Sequence, residues 1–105
     1  MRFYQTISQD EARRLMHERY GCRILDVREP EEFAGGHLPG AVNIPLYAVS
    51  RKAPLLMPSR KRPLMVYCGS GARSLPAVQV LSVMGYQNLY NLCGGIEYWP
   101  YELVQ

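Results

Sequence analysis

The sequence predicts an α/β fold, a parallel sheet flanked by helices on both faces. Three observations carry this. Short apolar runs of strand length are bounded by glycine or charge. Between them lie segments whose apolar residues recur at helical spacing. One run, Leu64–Tyr67, stops at Cys68, passes through four small residues to Arg73 and enters an apolar-periodic segment, which reads as strand, tight loop, helix. The 105 residues are read as one domain spanning 1–105, because domains commonly run to about 100–150 residues. A hydrophobic content of 48% against 20% charged residues is that of an ordinary soluble domain, able to build a core without disulfides.

The elements follow in order. Ser8 and Glu11 form a capping box, in which hydroxyl and carboxylate satisfy exposed amides reciprocally. Ala12, Leu15, Met16 and Tyr20 then recur at helical spacing, predicting a helix over 9–20 ended at Gly21. Residues 22–27 read as a buried strand. Pro30 at a first helical position starts one or two turns through Ala34, stopped by Gly35 and Gly36. Residues 41–44 are a short strand, 46–49 a helical turn, and 50–62 a connector with two prolines. Strand 64–67 leads into a helix over 74–84, with Pro76 in its first turn, where proline is tolerated. Gly85 closes that helix, 88–92 is the last strand, and Gly94–Trp99 begins a final short helix.

Charge and cysteine usage exclude several classes. The net charge of +3 is mild, and Arg51, Lys52, Arg60, Lys61 and Arg62 flank the connector as a solvated loop. A nucleic-acid surface needs a denser basic face with aromatics. No apolar stretch approaches the roughly 18 residues of a spanning helix. The first residues lack the apolar core of a signal peptide. Three cysteines cannot all pair, which suits a reducing, cytoplasmic setting. No Cys-x-x-Cys pair or Cys/His cluster offers metal ligands, so neither metal nor cofactor is expected.

The chemistry centres on Cys68. In an open α/β sheet, ligands sit at the C-terminal ends of the strands, and a helix N-terminus there favours negative charge. Such a setting can bring a cysteine pKa from about 8.5 down to roughly 3.5–7.5, and the thiolate is the nucleophile. Cys68 is therefore the candidate catalytic residue. Gly69, Ser70, Gly71, Ala72 and Arg73 are the candidate binding residues. The glycines can adopt positive φ and turn successive amides inward. Ser70 could donate to a bound group or face water, and Arg73 is read chiefly as an anchor of the loop. Ser74 is read as a helix-start residue. His17 lies on a polar helix face and carries no signal.

Four segments, in this order, make the chain resemble the rhodanese (sulfurtransferase) domain family over nearly its whole length. They are Asp26-Val-Arg28-Glu-Pro-Glu-Glu-Phe33, Phe33-Ala-Gly-Gly-His-Leu-Pro-Gly-Ala-Val-Asn-Ile44, Cys68-Gly-Ser-Gly-Ala-Arg-Ser74 and Leu92-Cys-Gly-Gly-Ile-Glu-Tyr-Trp99. The resemblance implies a five-stranded parallel sheet and a sulfurtransferase reaction in two steps. The Cys68 thiolate would take a sulfane sulfur from a donor (thiosulfate, polysulfide or a persulfide), and a thiol or cyanide acceptor would then remove it. The loop from Cys68 to Arg73 holds six residues, the length of the sulfur-transferring branch; related phosphatases and arsenate reductases carry one more. Family members suited to thiosulfate often hold an extra cation inside that loop. Here it offers only Gly69, Ser70, Gly71 and Ala72, so thiosulfate should bind weakly and polysulfide, persulfide or a carrier protein's persulfide is expected as a donor at least as readily.

A second reading is a sulfur-relay module, in which persulfidated Cys68 passes sulfur to a protein partner such as a sulfur carrier. Exposed Tyr47, Tyr98 and Tyr101 and the basic connector could serve docking. A third, the non-catalytic regulatory domain, usually lacks the cysteine that is present here. Asp26 and Arg28 are expected to pair and hold the adjoining loop, His37 to fasten its own loop, Cys22 to fill space and Trp99 to pack the last segment onto the body. Cys93 ends the strand expected beside Cys68, where a resolving role is conceivable.

Overall fold

The structure, a computed structural model, describes residues 4–18 and 22–105. Strands β1 (Tyr4–Ile7), β2 (Arg23–Asp26), β3 (Val42–Asn43), β4 (Leu64–Tyr67) and β5 (Leu89–Leu92) form one sheet, ordered β1-β5-β4-β2-β3. Every pairing is parallel. Helices α1 (Gln9–Met16), α2 (Pro30–Gly35), α3 (Val49–Leu56) and α4 (Ser74–Val83) connect them, with a 3-10 turn at Leu46–Ala48 before α3. The α/β class and the five parallel strands are those expected.

Alternation along the central strand splits the core in two. Leu64, Val66 and Cys68 face one side, with Val49 and Ala53 of α3 and Ala77, Val78 and Leu81 of α4. Met65 and Tyr67 face the other, with Ala12 of α1, Leu38, Ile96 and Trp99. All four residues of β4 are buried, as in a strand covered on both faces. Burying one aliphatic side chain contributes about 1.5–3 kcal/mol, so the two clusters hold the sheet edge that carries Cys68.

Four expectations change. β1 had no assignment, because only Ile7 of its four residues is buried and the pattern is too short to show a period. The connector read over 50–62 holds most of α3, whose buried stripe is Val49 and Ala53, continued by Met57 just past its end, while Pro54 sits within the helix. The helix read over 9–20 stops at Met16 with His17 as its C-cap; its predicted end at 19–21 lies outside the described residues. The helix expected from Gly94 does not form. Gly94 and Gly95 take φ of 73° and 66°, a left-handed backbone that no right-handed helix can hold, and the chain runs on in turns to Trp99.

Candidate active site

Cys68 follows the last residue of β4 and is fully buried. Its Sγ accepts hydrogen bonds from the amides of Gly71 at 3.0 Å, Arg73 at 3.3 Å and Ser74 at 3.3 Å. Two of these donors, Arg73 and Ser74, are the N-cap and first residue of α4, where amides lack intrahelical partners. The third is turned inward by Gly71 at φ 100°, a conformation that side chains disfavour. A sulfur that accepts three N–H bonds sits in surroundings suited to a negative charge. The Ser74 hydroxyl donates to the Gly71 carbonyl at 3.3 Å and closes the ring.

Inward amides require outward carbonyls, and these are held by the turn after β5. The amide of Ile96 donates to the Cys68 carbonyl at 3.0 Å and that of Glu97 to the Gly69 carbonyl at 2.8 Å. The approach is so close that a Cβ on Gly95 would lie 2.4 Å from both carbonyl oxygens. Only glycine fits there. The Gly-Gly segment therefore acts as a backbone brace under the cysteine loop.

Two ion pairs fix the loop's flanks. Arg73 holds Glu32 of α2 through both guanidinium nitrogens, at 2.6 and 2.9 Å. That hydrogen-bonded pairing holds the Glu32 carboxyl down at about 2. The second pair is buried: Arg28 meets Asp26 at 2.8 Å and also donates to the Gly36 carbonyl at 2.6 Å. Asn43 donates to the carbonyls of Asp26 and Arg28, tying the end of β2 to β3. Burial, with the Asp26 carboxylate nearby, pushes the Tyr67 hydroxyl up. It remains protonated and accepts from the Leu38 amide at 3.1 Å. His37 bonds through Nδ1 to the Phe33 carbonyl at 2.8 Å, stacks on the Phe33 ring and bridges Val104 through its backbone. It is a fastener, as expected.

Beside the loop opens a cleft of about 610 Å³, lined by Gly69, Ser70 and Arg73 together with Arg28, Glu31, Glu32 and Glu97. Of the residues singled out from sequence, Cys68, Gly71 and Arg73 meet in the cradle, Gly69 supplies a braced carbonyl, and Ser70 is exposed on the cleft side. Ala72 is exposed and its amide is not among the donors to the sulfur. Sequence reasoning missed the Ser74 amide, Glu32 and the brace at Gly95. Arg73 signalled that a carboxylate was needed, but Glu31, Glu32 and Glu97 were indistinguishable as its partner. Cys22 is half-buried, and desolvation pushes its thiol up to about 11, leaving it protonated as a packing group. Cys93 is exposed after β5. Trp99 is buried against the α1 side of the sheet, its indole nitrogen without a partner.

Comparison with known proteins bears on what this arrangement is. Residues 8–101 match the rhodanese-like domain model. The chain is 38% identical over 73 residues to the thiosulfate sulfurtransferase PspE of Escherichia coli, covering 70% of this chain and 69% of that one. It is 36% identical over 98 residues to the uncharacterized protein YqhL of Bacillus subtilis, covering 93% and 74% respectively. A crystal structure of a rhodanese-related protein from Thermoplasma volcanium superposes with a TM-score of 0.84 at 31% identity, over 96% of this chain and 98% of that one. The human single-domain sulfurtransferase TSTD1 superposes with a TM-score of 0.79 at 31% identity, over 90% and 93%. The family match takes in four of the five strands and the whole of the cysteine loop, leaving out the edge strand before Ser8 and residues 102–105, and it makes this chain a member of the rhodanese-like domain family.

Proposed function

We propose that residues 1–105 act as one unit, a sulfurtransferase that carries a sulfane sulfur on Cys68. The observation that carries the reading is the set of three backbone amides on the Cys68 sulfur, at 3.0 to 3.3 Å. The thiolate attacks the terminal sulfur of a polysulfide, persulfide or thiosulfate. The donor's S–S bond breaks, and its electron pair leaves with the shortened donor anion. The product is a Cys68 persulfide whose outer sulfur carries the negative charge, and the α4 N-terminus favours that charge. A thiol or cyanide then attacks the outer sulfur, the persulfide bond breaks, and the Cys68 thiolate is restored.

Arg73 serves as an anchor in this scheme, since both of its outer nitrogens are occupied by Glu32. No cation within the loop remains for a dianion such as thiosulfate, which supports a persulfide, free or on a carrier protein, as a donor on at least equal terms. The relay reading rests on one observation: the chain is 33% identical over 97 residues to the putative sulfur carrier protein YrkF of Bacillus subtilis, of which it spans 46%. Free thiols suit a reducing cytoplasm.

Intact-mass measurement after exposure to polysulfide, and separately to thiosulfate, tests the proposal. The protein should gain one sulfur atom, the preferred donor showing itself in the same measurement, and Cys68→Ser should gain none. Equal loading of Cys68→Ser would remove Cys68 from the reaction. Transfer to a protein thiol that outpaces transfer to cyanide would favour the relay.

A further inference from the structure

The cleft beside the cysteine loop has an unusual charge balance for a site that handles small sulfur compounds. Its two guanidiniums are both spent internally. Arg73 is held by Glu32 through two hydrogen bonds, and Arg28 is buried on Asp26 and the Gly36 carbonyl. Glu31 and Glu97 also line the cleft. Both are exposed, and neither is ion-paired among the described residues. Each arginine is thus matched by a carboxylate, and two further carboxylates are left over. The wall is locally negative although the chain as a whole carries +3.

The surplus positive charge does not reach this wall from the segment that leads into β4. Arg60, Lys61 and Arg62 precede β4, whereas Cys68 follows it. Six residues of extended chain from Arg62 to Cys68 span about 20 Å at ~3.3 Å each. That exceeds twice the Debye length of about 8 Å at physiological ionic strength. At contact distance Glu31 and Glu97 are the unpaired charges on this wall.

Resting on the reading of Cys68 as a sulfur carrier, we propose that Glu31 and Glu97 are specificity-determining residues that select sulfur donors and acceptors bearing a protonated amine, such as aminothiols and their persulfides, over anionic ones. Gly69, Ser70 and Arg73 belong to both the cysteine loop and the cleft wall, so a molecule that approaches Cys68 through this cleft meets these carboxylates on the way. An ammonium group there is attracted, and a carboxylate or sulfonate is repelled. Each exposed carboxylate is worth roughly two- to fivefold in such a contact, so the pair shifts the cation-over-anion preference by about tenfold.

The test uses the native protein and Glu31→Gln/Glu97→Gln, in which no group of the cysteine cradle is altered. Cys68 is first modified with 2-aminoethyl and with 2-sulfonatoethyl methanethiosulfonate, followed by mass mapping of the Cys68 peptide. Each reagent forms a mixed disulfide with the thiolate and releases methanesulfinate, so the rates report local charge without requiring sulfur transfer. The cation-to-anion rate ratio should fall about tenfold in the double variant at low salt, and the native ratio should itself collapse towards the variant's in 1 M NaCl. The persulfide form is then discharged with cysteamine and with 3-mercaptopropionate, and the ratio of kcat/KM values should fall by a similar factor. Intrinsic reactivities cancel when native and variant are compared. Unchanged ratios in both measurements overturn the proposal while leaving sulfur loading at Cys68 intact. A shifted reagent ratio with no shift between the two thiols assigns the field to the glutamates but overturns their role in selecting substrates. Failure of Cys68 to load from polysulfide overturns both the carrier reading and this one.

Discussion

At the scale of single residues, the site depends on who holds Arg73. Glu32 lies 41 positions away in sequence, and nothing local distinguishes it from Glu31 next to it. Replacing it frees a guanidinium against the cleft and loosens the start of α4. For Glu32→Gln we expect a loss of up to about 1 kcal/mol, the range of half-exposed pairs. The Glu32 carboxyl is held at about 2 in the folded chain, below the ordinary carboxyl value of about 4.3. A depressed folded value contributes stability that is fully present above the unfolded value and lost as pH falls through the folded one. The stability difference between native protein and Glu32→Gln should therefore be constant from pH 7 to about 5, and should close as pH approaches 2 in denaturant titrations. A difference that persists at pH 2 would argue against the pair. The thiols give a second expectation. Cys22, pushed up to about 11 by burial, should resist iodoacetamide at pH 8 while the exposed Cys93 reacts. Peptide mapping after brief labelling reads both, and rapid labelling of Cys22 would contradict its protonated, packed state.

At the scale of elements, the strand–loop–helix unit around Cys68 was legible because its signals are local. An apolar run, glycines that turn the chain and a helical period all fall within 64–84. The turn after β5 is not legible in the sequence, because Gly94 and Gly95 look like the ordinary start of a helix. Their left-handed φ and the closeness of Gly95 to two carbonyls depend on β5 lying beside β4. Gly95→Ala should cost at least about 2 kcal/mol, because a strained φ is added to a backbone clash. Gly85→Ala is the control: its φ is 97°, but nothing lies within 4 Å of an added Cβ, so only the conformational strain, about 1 kcal/mol, should appear. Urea unfolding compares the two, and equal losses would mean that the brace does not press on the loop. α3 was hidden by Pro54 and by basic residues on its outer side. Its buried stripe is only Val49 and Ala53, continued by Met57 beyond its end.

At the scale of the whole molecule, the strand order β1-β5-β4-β2-β3 puts the cysteine-bearing strand in the middle. β4 is paired on both sides and buried along its length, while β1 and β3 are edges with few buried residues. Amide exchange opens from weakly held edges inward. Exchange followed by mass spectrometry should find Leu64–Tyr67 the slowest segment and Tyr4–Ile7 among the fastest. Equal protection of the two would mean that the sheet opens as one unit. With β4 the slower, Cys68, seated at the end of this doubly paired strand, would keep its three amide donors in place through local fluctuations at the edges. No helix among the described residues is long and apolar enough to cross a membrane.

The sequence by itself determined the α/β class, the position of Cys68 at a strand end and the inward-turned loop after it. Each of these follows from residues within a few positions of one another: an apolar run, small residues and a helical period. Tertiary structure alone decided which carboxylate secures Arg73, which amides brace the loop's carbonyls and that the adjoining wall is negative. Those facts come from residues brought together across the sheet's C-terminal edge. Charge and hydrogen bonding act over a few ångströms of space, and sequence separation does not measure that distance.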